Sequence, residues 1–195
     1  MNISSMVEEH ARRIPGWDAV VSEDLTLSWE EFNKRINRFG NALRKLGVKK
    51  GDRVAMYLPN SPEYLISYFA IARIGAVAVP FNIMYKSAEI TYIMNNSGAE
   101  ILIAAAKEAR DNVLSIREQF TTLKHVIVTG EEAVDGAQVF SRLLDLEDDT
   151  LEITDCLPND PVTMMYTSGT TGVPKGAMLT HYNFWEQADL NGCYV

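Results

Sequence analysis

Histidine and cysteine are scarce in this sequence, with three histidines (His10, His125, His181) and two cysteines (Cys156, Cys193) in 195 residues. The cysteines lie far apart with no C-x-x-C spacing, and no histidine clusters with them. That excludes a zinc site and leads us to expect free thiols in a reducing, cytoplasmic compartment. Positive charge is also short: 18 Lys and Arg against 26 Asp and Glu leave a net charge of -8, which makes nucleic acid a poor partner. The start of the chain reads without a signal peptide, since Met1-Asn2-Ile3-Ser4-Ser5 leads into Glu8-Glu9-His10-Ala11-Arg12-Arg13 rather than an apolar core. Long apolar runs are missing too. The most apolar stretch, Tyr64 to Phe81, is interrupted by Arg73, Gly75 and Pro80, so it reads as a buried helix followed by a buried strand rather than a transmembrane segment.

The remaining composition, 47% hydrophobic and 23% charged, is that of a globular protein with room for one core or two small ones. Residues 4 to 13 read as a short helix closed by Pro15-Gly16, and 19 to 21 as a strand. Ser28 and Glu31 form a capping box ahead of Trp29, Phe32, Ile36, Phe39, Leu43 and Leu46, a helical stripe ended by Gly47 and assigned to the core rather than to a ligand. A strand over 53–58 follows, then a helix opened by Ser61-Pro62-Glu63 and ended at Gly75, and a strand over 76–80. A helix at 87–96, a strand at 100–104, a helix near 107–119 and a strand at 125–128 complete the alternation. Continuous apolar strands separated by helices predict an α/β fold, a mostly parallel sheet covered by helices. We divide the chain into an α/β subdomain (1–144), an acidic linker (145–160) and a hairpin with the start of a helix (161–195). The linker's acids lack the glycine of an EF-hand loop and read as solvated.

The densest chemistry lies in Thr167-Ser168-Gly169-Thr170-Thr171-Gly172-Val173-Pro174-Lys175-Gly176. Four hydroxyls and three glycines share these ten residues, and Lys175 is the only formal charge between Pro161 and Thr180. Glycine lets the backbone turn through φ > 0, a conformation expected at Gly172, so that successive N–H groups converge on an anion. Donors to a charged acceptor contribute roughly 1.5–3 kcal/mol each, so a few of them with one ammonium can hold a polyphosphate. The apolar runs on either side, 161–166 and 177–180, make the loop the tip of a strand–loop–strand hairpin. It is not the P-loop of the nucleoside triphosphatases, because no G-K-[ST] opens a helix. Ser168 sits in no G-x-S-x-G elbow and is not read as a hydrolase nucleophile. His181, at a strand–helix junction, is a candidate base whose simpler use is capping or packing.

This loop resembles, position for position, the phosphate-binding signature of the AMP-forming adenylating enzymes: acyl-CoA synthetases, luciferases and peptide-synthetase adenylation domains. Leu58-Pro59-Asn60-Ser61 and Ala72-Arg73-Ile74-Gly75-Ala76-Val77-Ala78-Val79-Pro80-Phe81-Asn82 are similar to the early sequence of fatty-acyl-CoA synthetases. The resemblance implies ATP and CoA as co-substrates, a carboxylic acid as the third reactant, and Mg2+ whose main ligand lies outside these residues. It also implies phosphate contacts from Thr167, Ser168, Gly169, Thr170, Thr171, Gly172, Lys175 and Gly176, with Lys175 catalytic and no metal ligand. The Tyr-Gly-x-Thr-Glu, Thr-Gly-Asp and late-lysine motifs of that family are absent, so we expect the incomplete N-terminal portion of a larger multi-subdomain enzyme, inactive alone and prone to self-associate. The other reading is a stand-alone nucleotide-binding or regulatory module that keeps the loop without catalysis.

Overall fold

The computed structural model describes residues 1–130, 132–167 and 174–190. Its elements follow local chemistry. α1 (Ser5–Arg13) precedes a two-stranded hairpin, β1 (Asp18–Val21) and β2 (Thr26–Ser28). Ser28 then caps α2 (Trp29–Lys45), its side chain accepting from the Glu31 N–H. One stripe of α2, Phe32, Ile36, Phe39 and Leu43, is buried, while the Lys34–Glu30 and Arg35–Glu31 pairs occupy the outer side. β3 (Arg53–Tyr57) leads to α3 (Pro62–Arg73), which Ser61 caps and Pro62 opens. Gly75 ends that helix with φ 74°, and a Cβ there would stand 3.0 Å from Thr154 Cγ2. β4 (Val77–Pro80), α4 (Ser87–Ser97) and β5 (Ile101–Ala105) follow.

The helix expected near 107–119 is instead three short pieces: α5 (Ala106–Glu108), a π-helical turn (Ala109–Val113) and a 3-10 segment (Leu114–Gln119). The wide turn buries both Ala109 and Val113 and lets Asn112 Nδ2 donate to the Tyr57 hydroxyl at 3.2 Å. β6 (His125–Thr129), a two-residue β7 (Gln138–Val139), α6 (Phe140–Asp145), β8 (Pro161–Thr167), β9 (Lys175–Thr180) and α7 (His181–Leu190) complete the chain.

Seven strands form one sheet in the order β7-β6-β5-β3-β4-β8-β9, parallel throughout except for β9. The wiring explains where the helices sit. From β3 the chain steps one way through α3 to β4, then returns across β3 through α4 to β5. Right-handed crossovers in opposite directions put their helices on opposite faces. Alternate strand residues accordingly serve two cores: Val54, Met56 and Ala78 pack with α2 and α3, while Ala55, Tyr57 and Val79 pack with α4. A third, small cluster joins Ile3, Ala72 and Val162 to Phe184 and Trp185 of α7.

Arg73 is fully buried where α1, α2 and α3 meet. Its guanidinium donates to Ser4 Oγ (2.8 Å), the Ser4 carbonyl (3.2 Å), Asn33 Oδ1 (2.7 Å) and Asn37 Oδ1. Residues 145–160 are laid along α2 and the end of α3 by their backbone. Asn37 and Asn41 donate to the carbonyls of Asp148, Asp149 and Thr150, Arg44 donates to that of Glu152, and Thr154 N–H donates to the Arg73 carbonyl. The hairpin of 161–180 extends the same sheet through β8 and β4.

Candidate functional site

In the β8–β9 hairpin Thr167 stands opposite Lys175 and Tyr166 opposite Gly176. Because β8 is parallel to β4, with Ala78 in register with Thr163, the tip of the hairpin lies at the carboxyl end of the parallel strands. Ser168, Gly169, Thr170, Thr171 and Gly172 lie outside the described residues, as does the φ expected at Gly172. Thr167 and Lys175, the two residues that bracket the loop and its Pro174, are both exposed, and no ion pair among the described residues includes Lys175. Gly176 is needed for close approach: a Cβ there would lie 3.2 Å from Met164 Cγ and 3.3 Å from Tyr166 Cζ.

Beside the hairpin tip, a crevice of about 430 Å³ is walled by Leu58, Pro59 and Asn60 after β3, by Pro80 to Ile83 after β4, and by Met165 and Tyr166. This is the point where the strand order reverses, the position at which open α/β sheets bind ligands. The loop after β4 is held in shape. Asn82 Oδ1 accepts from the Met84 N–H at 2.9 Å, and the Tyr57 hydroxyl lies within 2.9 Å of the Ile83 and Tyr85 carbonyls, to one of which it donates. Tyr57 stacks on Phe81, ring centroids 5.2 Å apart. Burial, with the Glu108 carboxylate next, raises the Tyr57 phenol above its ordinary pKa, so it stays a neutral donor. A larger hollow of about 680 Å³ between α1, α2 and residues 149–152 includes the Lys34–Glu30 pair and none of the residues of the hairpin.

His181 is not part of this site. It begins α7 next to Thr180, which pairs with Pro161 at the opposite end of the hairpin, about 20 Å from Lys175 at the rise of a strand. Its Nδ1 accepts from the Ile3 N–H at 3.2 Å, and burial holds its pKa down to about 4, so the ring is neutral. It is a packing residue. Among the described residues no three His, Cys, Asp or Glu side chains gather where they could hold a metal ion, and no helix is long and apolar enough to cross a membrane. Reading the sequence alone missed the use of the Tyr166 hydroxyl, which donates to Asn96 Oδ1 at 2.6 Å, although Tyr166 opens the loop stretch, and it missed the role of Tyr57, which was read only as part of a strand.

The fold and crevice define a doubly wound α/β protein with a Gly- and Thr-rich loop at the carboxyl edge of its sheet. The chain belongs to the AMP-binding enzyme family, which it matches over residues 7–194. It is 39% identical over 160 residues to the crotonobetaine/carnitine–CoA ligase of Salmonella paratyphi A, covering 80% of this chain and 31% of that protein. Among solved structures it is similar to the anthranilate CoA ligase AuaEII in complex with anthranoyl-AMP, with TM-score 0.95 and 31% identity over 100% of this chain and 38% of that one. The inhibitor-bound N-terminal domain of FACL13 from Mycobacterium tuberculosis gives TM-score 0.83 and 32% identity, over 92% of this chain and 44% of that one. The chain thus spans about a third of the length of the curated relatives it matches.

Proposed function

We propose that this chain supplies the ATP-phosphate loop of an ATP-dependent carboxylate–CoA ligase, with a fatty acid as the acid class. The observation that carries this reading is the placement, in a member of the AMP-binding family, of Thr167 and Lys175 at the carboxyl edge of the sheet beside the switch-point crevice. In the first half-reaction a carboxylate oxygen attacks the α-phosphorus of ATP. The acyl–phosphate bond forms, the α–β P–O bond breaks, and pyrophosphate leaves. The backbone and hydroxyls of 167–172 hold the β- and γ-phosphates, and Lys175 offsets the charge gathering on the leaving group. In the second half the CoA thiol, its proton lost to base, attacks the acyl carbon and AMP departs. Mg2+ would neutralise further phosphate charge. The similarity to fatty-acyl synthetases in residues 58–61 and 72–82, with the likeness to a solved Mycobacterium tuberculosis fatty acyl CoA synthetase, supports the fatty acid.

The test is ATP–pyrophosphate exchange and acyl-CoA formation by the polypeptide encoded by the whole gene, with short, aromatic, trimethylammonium and long-chain acids. Exchange is expected with fatty acids above the rest, and none from the 195 residues alone. Lys175→Ala should slow adenylate formation roughly a hundred- to a thousandfold while sparing transfer from a pre-formed acyl-adenylate. Equal loss in both halves would remove Lys175 from the pyrophosphate. ATP binding without exchange on any acid would replace the ligase by a nucleotide-binding module.

A further inference from the structure

β8 meets β4 at a single register pair, Ala78 with Thr163, reinforced by Thr163 Oγ1 donating to the Ala78 carbonyl at 3.0 Å. β4 ends at Pro80, two residues past that pair, whereas β8 runs on to Thr167. The crevice opens on one side of the hairpin's distal half, so the strands that carry the phosphate loop are not held by a continuous ladder. What ties that half to the body is Tyr166. Its ring is buried in the core beneath α4, and its hydroxyl donates to Asn96 Oδ1 in the last turn of α4, 70 residues away in sequence. The same ring lies under Gly176, whose missing side chain admits it, so Tyr166 fixes both strands at the level of the Thr167–Lys175 pair.

The geometry points to Tyr166 as a positioning residue: the Tyr166–Asn96 hydrogen bond clamps the hairpin tip, so that the loop's donors are set before ATP arrives. Tyr166 forms part of the crevice wall and directly precedes the loop, but its hydroxyl is engaged by Asn96. The clamp acts by removing motion, and a cradle whose donors are already fixed loses less on binding. A catalytic consequence rests on the ligase reading above; the mechanical one does not.

Tyr166→Phe keeps the ring on Gly176 and removes only the hydroxyl, and Asn96→Ala, on an exposed helical turn, removes only the acceptor. In amide hydrogen exchange, each variant should lose about fivefold protection at 164–167 and 175–177, the effect of one net hydrogen bond, with the strands over 53–57 and 101–105 unchanged. The double variant should lose no more than either single one. In the whole-gene enzyme, the same variants should raise KM for ATP by a similar factor while leaving KM for the acid unchanged. Additive losses in the double variant, or unchanged hairpin protection, would overturn the clamp. So would equal rises in both KM values, which mark a general loosening. Lack of exchange activity in the parent protein would count against the ligase reading alone, because the amide-exchange cycle decides the clamp without it.

Discussion

Replacing Arg73 by Met should destabilise the fold by about 2–4 kcal/mol, and the figure follows from what surrounds the side chain. Arg73 is fully buried and the Glu8 carboxylate acts on it without hydrogen bonding; neutral oxygens of Ser4, Asn33 and Asn37 receive its four hydrogen bonds. Burial draws its pKa down to about 10 from 12.5, with Glu8 opposing, each unit being about 1.4 kcal/mol of lost preference for the charged form. The guanidinium is still charged at neutral pH. Met fills nearly the same volume, so little cavity results, but it strands the buried acceptors of Ser4 (hydroxyl and carbonyl) and Asn37 at roughly 1 kcal/mol or more each, while the half-buried Asn33 can turn to water. Arg73→Lys keeps the charge but loses the planar fork that reaches several acceptors at once, so it should fare little better. Against a total stability of about 5–15 kcal/mol, either change is large, and roughly 2–4 °C of Tm should be lost per kcal/mol. Urea and thermal unfolding followed by circular dichroism measure it, and limited proteolysis should show residues 1–16 released first. If Arg73→Met unfolds within about 1 kcal/mol of the parent, desolvation cancels the bonds and Arg73 does not hold the three helices together.

Two further perturbations test the structure elsewhere. His181 has its pKa lowered to about 4 by burial, with the N-terminal amine and Lys50 lowering it and Asp160 opposing them. The unfolded chain therefore binds the extra proton between pH 6.5 and 4: stability is full above 6.5 and falls as pH drops, by at most about 1.4 kcal/mol per pH unit. Midpoints of urea unfolding from pH 7.5 to 4.5 should show that slope in the parent and a flatter one in His181→Gln; identical slopes would refute it. Gly176→Val should cost about 1–3 kcal/mol through Met164 and the fixed Tyr166 ring and weaken ATP binding, whereas Gly176→Ala, which the flexible Met164 can accommodate, should cost less.

Elements with a strong period were legible before any coordinates. The stripe of α2, the Ser28 and Ser61 caps and the apolar runs of β3, β4, β5 and β6 each carry a local signal, and each formed close to its expected bounds. What local pattern does not encode was missed. β2 and β7 have three and two residues, too few to alternate, and α6 follows β7 without a side-chain cap. The break in 106–119 answers Tyr57, some fifty residues earlier. The acidic run read as solvated because its side chains are charged, yet its carbonyls are what Asn37, Asn41 and Arg44 hold. At the site, the loop was visible through its unusual composition, whereas its location at the carboxyl edge depends on strand order.

Strand order also bears on how a chain of net charge -8 could offer the polyphosphate site proposed above. The acids of the 145–160 run that lead into β8, among them Asp155 and Asp160, lie near the amino end of the sheet, where Lys50 donates to the Asp155 carbonyl and pairs with Asp160 at 2.7 Å. The loop is at the other end of β8, seven residues away. At the rise of a strand that separation is about 20 Å, against a screening length of about 8 Å at physiological salt. Repulsion from the acidic end is therefore largely screened at the hairpin tip, and the 161–180 segment itself carries Lys175 and no acidic residue. The same wiring that opens the crevice thus also keeps Asp155 and Asp160 at the end of β8 opposite Lys175, so a phosphate held at the hairpin tip would meet the lysine well before it met either carboxylate.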